Sequence, residues 1–311
     1  MKTIVIAGDS HTWGEGPSGV LDSFSPRAVC GEKRLVGFRF DNYVNLLRRK
    51  INLETGSSAS DYQFDGENTP FRVQLHGETL LRFQLKETEC EKYFTYTVGN
   101  NSYTLTVPPV TEGPDFAYET VPVFLPEDTD GELRIDEENC SMLFRLEIYS
   151  GNTAVINCGV GSCPSFLYEQ KFADLYVKAY KPSVIVTELN TINDWLSVMT
   201  PSECRESVSL MLRHFKSICP NVIAHTVSPV LGPQCEPFSR DEYKEYVRAG
   251  IEALKEENIP YADVNKIMND MLDKADPSMQ HDMLFDDNWH VTEPGHKIYA
   301  DEVYKLLREY I

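Results

Sequence analysis

The chain has little sequence of the kind that enters or crosses a membrane. Its N-terminal apolar stretch runs only from Ile4 to Ala7 before Gly8-Asp9-Ser10, whereas a membrane helix needs about 20 apolar residues and an export signal about 7 to 15. A cytoplasmic protein with no membrane partner is expected. Positive charge is scarce too: 29 Lys and Arg face 48 Asp and Glu, a formal net charge of −19. Such a surface repels phosphate backbones and anionic bilayers, which excludes nucleic acid as a partner. Close cysteine pairs are missing. Of the eight cysteines, Cys158 and Cys163 are nearest in sequence and have no second pair beside them, which argues against structural zinc; in a reducing compartment the cysteines stay thiols. No internal repeat and no low-complexity tract occurs.

What is present is the material of an ordered core, with 41% hydrophobic and 11% aromatic residues in a chain of 311. That length is about twice the usual for one domain, so a large domain carrying an insertion is expected. Residues 57–150 stand apart by charge, with 18 acidic side chains against 6 basic. They also read as short alternating runs, such as Phe71 to Leu75 and Tyr93 to Val98, the period of strands. Gly99-Asn100-Asn101 suits a hairpin turn, and Pro108, Pro109, Pro114, Pro122 and Pro126 point to edges or loops. A β-rich unit of sandwich or jelly-roll type follows for 57–150.

The flanks, 1–56 and 151–311, alternate strand and helix. Met1 to Ala7 reads as a first strand, followed by a helix that Asp41 can cap, with Tyr43, Val44, Leu47 and Ile51 on its apolar side and Gly56 after its end. Strands are then expected at 154–160, 183–189, 222–227 and near Tyr261. Helices are expected at about 165–180, from Pro201 through Ile218, after the capping box Ser239 to Glu242, and from about Glu293. This alternation predicts an α/β domain, a doubly wound parallel sheet in three layers, into which the β-rich unit is inserted.

Ligands of open α/β sheets collect at the carboxyl ends of the strands. Four polar clusters fall there: Gly8-Asp9-Ser10, then Gly159-Val160-Gly161-Ser162, then Asn190-Thr191-Ile192-Asn193-Asp194, and Asp286-Asp287-Asn288-Trp289-His290 before the last helix. Together and in this order they resemble the blocks of the SGNH (GDSL-type) hydrolase family. The likeness covers 1–56 and 151–311. Two positions depart from the family's usual pattern: Thr191 stands where glycine is common, and His11 where leucine follows the serine.

The resemblance implies that Ser10 is the nucleophile, that His290 and Asp287 complete a triad, and that the Ser10 N–H, the Gly161 N–H and the Asn193 side chain donate to the oxyanion. It implies no cofactor. The chemistry of the residues agrees with these roles. A serine hydroxyl needs a base, and histidine titrates where that work is done; a carboxylate three residues before it can fold back to fix its tautomer. An Asn amide is a donor that adds no charge. Asp286 is the alternative to Asp287, one residue off register, and Ser162 the alternative to Gly161. His11, adjacent to Ser10, is poorly placed to be its base. Asp9 and Asp194 read as groups that orient their loops.

A divalent metal could draw on His281, Asp282, Asp286, Asp287 and His290, but it would leave Ser10 and Asn193 idle, so no metal is expected. His76, His214, His225 and His296 read as structural. Trp13, Trp195 and Trp289 lie within three residues of the proposed catalytic positions, either buried beneath the loops or forming an apolar or sugar-stacking wall. The activity implied is hydrolysis of a carboxylic ester through an acyl-enzyme, with small or oligomeric acetylated sugars as the first substrate class. The alternatives are a lipase, lysophospholipase or thioesterase on longer acyl chains, transfer of the acyl group to a sugar, or an inactive glycan-binding module. Neither the oligomeric state nor the role of the insert follows from these residues.

Overall fold

The computed structural model describes residues 1–16, 21–24, 35–64, 70–86, 90–107, 109, 118–230, 240–276, 283–285, 287 and 289–311. Its strands are β1 (Lys2–Gly8), β2 (Leu21–Phe24), β3 (Leu35–Phe38), β4 (Ser58–Gln63), β5 (Phe71–His76), β6 (Thr79–Lys86), β7 (Lys92–Val98), β8 (Asn101–Val107), β9 (Tyr118–Leu125), β10 (Asp130–Ile135), β11 (Leu143–Ser150), β12 (Thr153–Gly159), β13 (Val184–Glu188), β14 (Val222–His225) and β15 (Tyr261–Ala262). Contacts divide the chain into two compact units, Met1–Lys2 with Lys50–Ala154 and Thr3–Arg49 with Val155–Ile311. No helix among the described residues is long and apolar enough to cross a membrane.

The second unit is built on a sheet of order β12-β1-β13-β14-β15, with β1, β13, β14 and β15 paired in parallel. β13 and β14 are buried along their whole length and β1 from Thr3 on, as strands covered on both faces must be, and their Val and Ile runs supply that apolar surface. Counted among the strands of this sheet, the order is second-first-third-fourth-fifth. That is a doubly wound sheet whose order reverses between β1 and β13, the position where such sheets bind ligands.

The other unit is all antiparallel. Its two sheets run β5-β10-β7-β8 and β4-β11-β6-β9. With β4 to β11 numbered first to eighth, the orders are second-seventh-fourth-fifth and first-eighth-third-sixth, which is the eight-stranded jelly-roll arrangement. Inward side chains of both sheets, among them Phe83, Phe94, Leu133 and Leu146, form one buried core, with the rings of Phe83 and Phe94 5.1 Å apart. The hairpin β7-β8 turns at Gly99, whose φ of 58° is cheap only without a Cβ. Pro122 lies in β9, the edge strand of its sheet, where a missing N–H breaks no ladder.

Most helices match their sequence signals. Pro201–Ile218 carries a complete capping box between Thr200 and Glu203, with Val208, Met211, Leu212 and Phe215 buried; Glu293–Leu307 closes the fold. The first long helix, Tyr43–Thr55, is not capped by Asp41, which pairs with Arg39. Asn42 accepts from the Asn45 N–H instead, because the cap must sit immediately before the first helical residue. The expected helix at 165–180 is wound in three ways: α over Ser165–Leu167, π over Tyr168–Val177 and 3-10 over Lys178–Tyr180. Tyr168 and Val177, nine residues apart, would lie on opposite sides of an ordinary helix. Both are fully buried, and the wider winding brings them to one side. The Ser239 cap lies outside the described residues. Short helices at Thr191–Leu196 and Val264–Leu272 carry no strong sequence signal.

Candidate active site

Ser10 stands where β1 ends and a one-turn helix, Ser10–Trp13, begins. The turn is tight and the sequence is built for it. The Asp9 carboxylate caps the helix by accepting from the His11 N–H at 3.0 Å, and Gly14 leaves it in the left-handed region. A Cβ on Gly8 would lie 2.7 Å from Glu188, and one on Gly159 would lie 2.2 Å from the Trp13 backbone nitrogen. Those two glycines let β13 and β12 close on the Ser10 turn, and the Val160 N–H donates to the Gly8 carbonyl at 2.9 Å.

The Ser10 Oγ is 3.0 Å from His290 Nε2, and His290 Nδ1 is 2.7 Å from Asp287 Oδ2. Hydroxyl, imidazole and carboxylate thus form one hydrogen-bonded series across 280 residues of sequence. The second Asp287 oxygen accepts from the Trp289 and His290 N–H groups at 2.9 and 2.7 Å, so one short side chain folds its own turn and orients the ring. Burial alone would raise the Asp287 pKa, but the hydrogen bond and charge of His290 hold it at about 2. The loop is closed at its base by the Thr292 N–H donating to the Leu284 carbonyl. Ser10 and His290 keep 7% and 8% of their surface exposed, enough for an incoming small group to reach them.

Asn193 joins the same site from the short helix Thr191–Leu196 that follows β13. Its amide donates to Asp9 Oδ2 at 2.6 Å, which fixes the carboxamide beside the Ser10 turn and leaves its second N–H for another acceptor. Thr191, at the position where the family favours glycine, packs against Gly250 and lies 3.2 Å from the Tyr243 hydroxyl. Asp194 anchors the segment after β12: it accepts from the Ser165 N–H and hydroxyl at 2.7 and 2.8 Å, while Asn190 donates to the Cys163 carbonyl. Burial pushes the Asp194 pKa up to about 7 despite those donors. Gly161 follows directly on the bond from Val160, and Ser162 beyond it holds φ at 54°. A non-glycine residue keeps that conformation only where its surroundings enforce it.

Behind Ser10 lies a second polar group. His11 Nδ1 is 3.0 Å from Asp9 Oδ1, and its Nε2 is 2.8 Å from the Trp289 carbonyl. Burial opposes charge on this ring, but Asp9 and Glu188 outweigh it and raise its pKa to about 10. Glu188, fully buried, accepts from the Thr12 N–H and hydroxyl at 3.1 and 2.5 Å, and burial followed by the charge of Asp9 pushes it up to about 8.

The sequence-predicted residues Ser10, Asp287, His290 and Asn193 are therefore brought to one rim, with Gly161 at the end of the neighbouring strand. Asp286, His281 and Asp282 lie outside the described residues. Trp13 and Trp195 are buried and Trp289 is half-buried. His76 pairs with Asp130, His214 faces Glu169 and Asp174, and His225 bonds the Tyr43 hydroxyl; His296 is buried and stacks on Tyr43. Cys140, Cys163, Cys204 and Cys219 are buried thiols. Sequence reasoning passed over Glu188 and Ser228. A carboxylate inside the run Val184–Glu188 was the available signal for the first, since such residues are rarely buried without a task; the second sits just past the carboxyl end of β14.

The fold is that of the SGNH hydrolases, a doubly wound sheet, here with a serine turn after its first strand. The chain belongs to the GDSL-like lipase/acylhydrolase family, whose sequence pattern matches residues 138–298. The matched stretch takes in Gly161, Asn193, Asp287 and His290; Ser10 lies upstream of it. Similar solved structures include a lipase/acylhydrolase from Enterococcus faecalis, at 14% identity and a TM-score of 0.54 over 99% of this chain and 96% of that one. A peptidoglycan O-acetylesterase shows 12% identity and 0.52 over 99% and 92%. An alpha/beta hydrolase from the metagenome of Lake Arreo, Spain, shows 11% and 0.50 over 98% and 94%. At such identities the likeness is one of fold. No curated protein matches the sequence.

Proposed function

We propose that the protein is a serine esterase that cleaves a carboxylic ester through an acyl-enzyme. The observation that carries this reading is the unbroken series from Ser10 Oγ through His290 to Asp287, at 3.0 and 2.7 Å. His290 takes the Ser10 proton as Oγ attacks the carbonyl carbon, then gives it to the departing alcohol; water, activated by the same ring, releases the acid. The Asn193 amide, held by Asp9, and the N–H groups of Ser10 and Gly161 receive the negative charge on the carbonyl oxygen. No step calls for a cofactor or metal ion.

The substrate class we favour is a small or oligomeric acetylated sugar, cleaved at an O-acetyl group. The net charge of −19 disfavours uronate polymers and phospholipid surfaces, so a neutral acylated carbohydrate suits the chain better than a lipid aggregate. A similar structure is a peptidoglycan O-acetylesterase, which places that chemistry within reach of this fold.

Treatment with a fluorophosphonate followed by mass spectrometry tests the chemistry. A covalent adduct on Ser10 that is absent from Ser10→Ala is expected; an adduct elsewhere, or hydrolysis surviving in Ser10→Ala at the original rate, overturns the assignment. A series of esters from acetyl to palmitoyl tests the substrate class. Highest kcat/KM at acetyl is expected, and a maximum at long chains would make the enzyme a lipase or thioesterase. Glycan binding by a chain that hydrolyses none of the esters would leave a binding module.

A further inference from the structure

His11 is not needed for the reaction as written, yet it is more thoroughly enclosed than the reacting groups. Only 1% of its surface is exposed. One ring nitrogen faces the Asp9 carboxylate at 3.0 Å and the other the Trp289 carbonyl at 2.8 Å. Both partners are acceptors, and a neutral imidazole has only one N–H to give. Either neutral tautomer would leave a lone pair against an oxygen at a position enclosed by the protein's own atoms, with His11 only 1% exposed. The geometry therefore calls for an imidazolium, with Asp9 as its counter-charge. Around the ring stand Asp9, Glu188 at 3.7 Å, the Ser228 hydroxyl at 3.5 Å and the ring of His290, its centroid 5.3 Å away.

The acceptor on the far side is the carbonyl of Trp289, the residue joined directly to His290. That carbonyl also accepts from Ser228 Oγ at 3.2 Å. Among the described residues the turn is also tied by its own Asp287, by Ser10 on the His290 ring and by Leu284 at its base. Asp9, meanwhile, holds Asn193 through its second oxygen. A single ring thus connects the loop carrying the base to the carboxylate that orients the oxyanion donor, through the residue next to the nucleophile.

We propose that His11 is a positioning residue for this site: as a doubly donating imidazolium between Asp9 and the Trp289 carbonyl, it sets the distance between the turn bearing Ser10 and the loop bearing His290. The proposal rests on the esterase reading given above. It explains a histidine where the family usually carries leucine, since leucine could fill the space but could bond neither acceptor. It also explains why a third group, Glu188, sits so near: Asp9, His11 and Glu188 hold ligand atoms within 4.8 Å of one another, and one cation, the ring itself, answers that concentration of oxygen.

Two measurements test it. Nitrogen-15 NMR of the wild-type rings at pH 8 is expected to find both His11 nitrogens protonated; a neutral ring, or an Nδ1 stripped of its proton by a bound divalent ion, overturns the proposal. The second is the rate at which fluorophosphonate labels Ser10, counted per folded molecule, in His11→Phe and His11→Gln. Phe fills the volume without donors, and Gln restores a donor toward Trp289. Misplacing reacting groups by about 1 Å costs on the order of 10²-fold, so labelling of His11→Phe is expected to fall by up to about that factor, with His11→Gln recovering most of it. Equal rates for wild type and folded His11→Phe would show His11 to be packing alone. An unlabelled Ser10 in the wild type would remove the esterase reading, and this proposal with it.

Discussion

Each unit of the protein buries charge, and the two do so differently. In the jelly roll, Arg82 and Glu147 face each other at 2.8 Å on adjacent strands, and Arg145 holds Asp61 at 2.8 Å. Two arginines there face two carboxylates across the ladder, with Arg145 also 3.6 Å from Glu147, and the Tyr149 hydroxyl donates to a Glu147 oxygen. In the α/β unit, two carboxylates, Asp9 and Glu188, crowd one imidazole, Glu188 Oε1 has no hydrogen-bond partner, and Asp194 is buried against neutral donors alone. The first arrangement is what a sheet needs in order to enclose polar groups. The second is costlier for folding, and chains retain it where preorganised dipoles and charges serve a reaction.

Substitutions can break or sharpen this contrast. The largest effect is expected from Asn193→Ala, which removes the proposed oxyanion donor from the α/β unit: kcat on an acetyl ester should fall by about 10²- to 10³-fold, with little change in the urea midpoint. A stability loss without a rate loss would place Asn193 with the structural polar groups. Arg82→Met should do the opposite. Stranding Glu147 in the jelly roll should cost about 3 to 5 kcal/mol in urea unfolding, and Arg82→Met with Glu147→Met should recover much of it, as buried pairs replaced together commonly do.

Asp194 supplies a test by pH. Its folded pKa of about 7 lies above the ordinary 3.8, so the folded state holds a proton that the unfolded chain has released. The stability this group contributes is present below about pH 4 and is lost as pH rises through 7. Wild type minus Asp194→Asn, followed by denaturation from pH 4 to 8, should therefore decline across that window; a flat difference would mean that Asp194 is ionised at little cost. The smallest effect concerns Val198, exposed and held at φ 60° in the turn after the Asn193 helix. A β-branched residue pays about 1 to 2 kcal/mol for that conformation, so Val198→Gly should raise the unfolding midpoint slightly and leave hydrolysis unchanged.

Legibility in the sequence followed the range of the forces involved. The strand Lys2–Gly8 and the helix Pro201–Ile218 could be read because an apolar run and an apolar stripe act over a few residues, while the capping box of Thr200 and Glu203 went unread. The pairing of Asp287 with His290 was readable for the same reason, since a carboxylate three residues away can reach both the ring and the backbone of its own turn. The cap at Asn42 was missed by one position, because neighbouring residues of the Asx type carry almost the same local signal. The π winding at Tyr168–Val177 was missed because burial on one side, a tertiary demand, set the pitch.

From the order of residues alone came the excess of acidic side chains, the alternation that builds a parallel sheet, and four polar clusters at strand ends. These depend on side-chain chemistry and near neighbours. Only the folded chain decided that Asn193 would bond Asp9, that the jelly roll would match its charges across strands, and that His11 would span two acceptors from distant segments. Apart from the bond of His11 to Asp9, those contacts join residues more than 50 positions apart, and their energies come from burial and geometry that no local stretch of sequence contains.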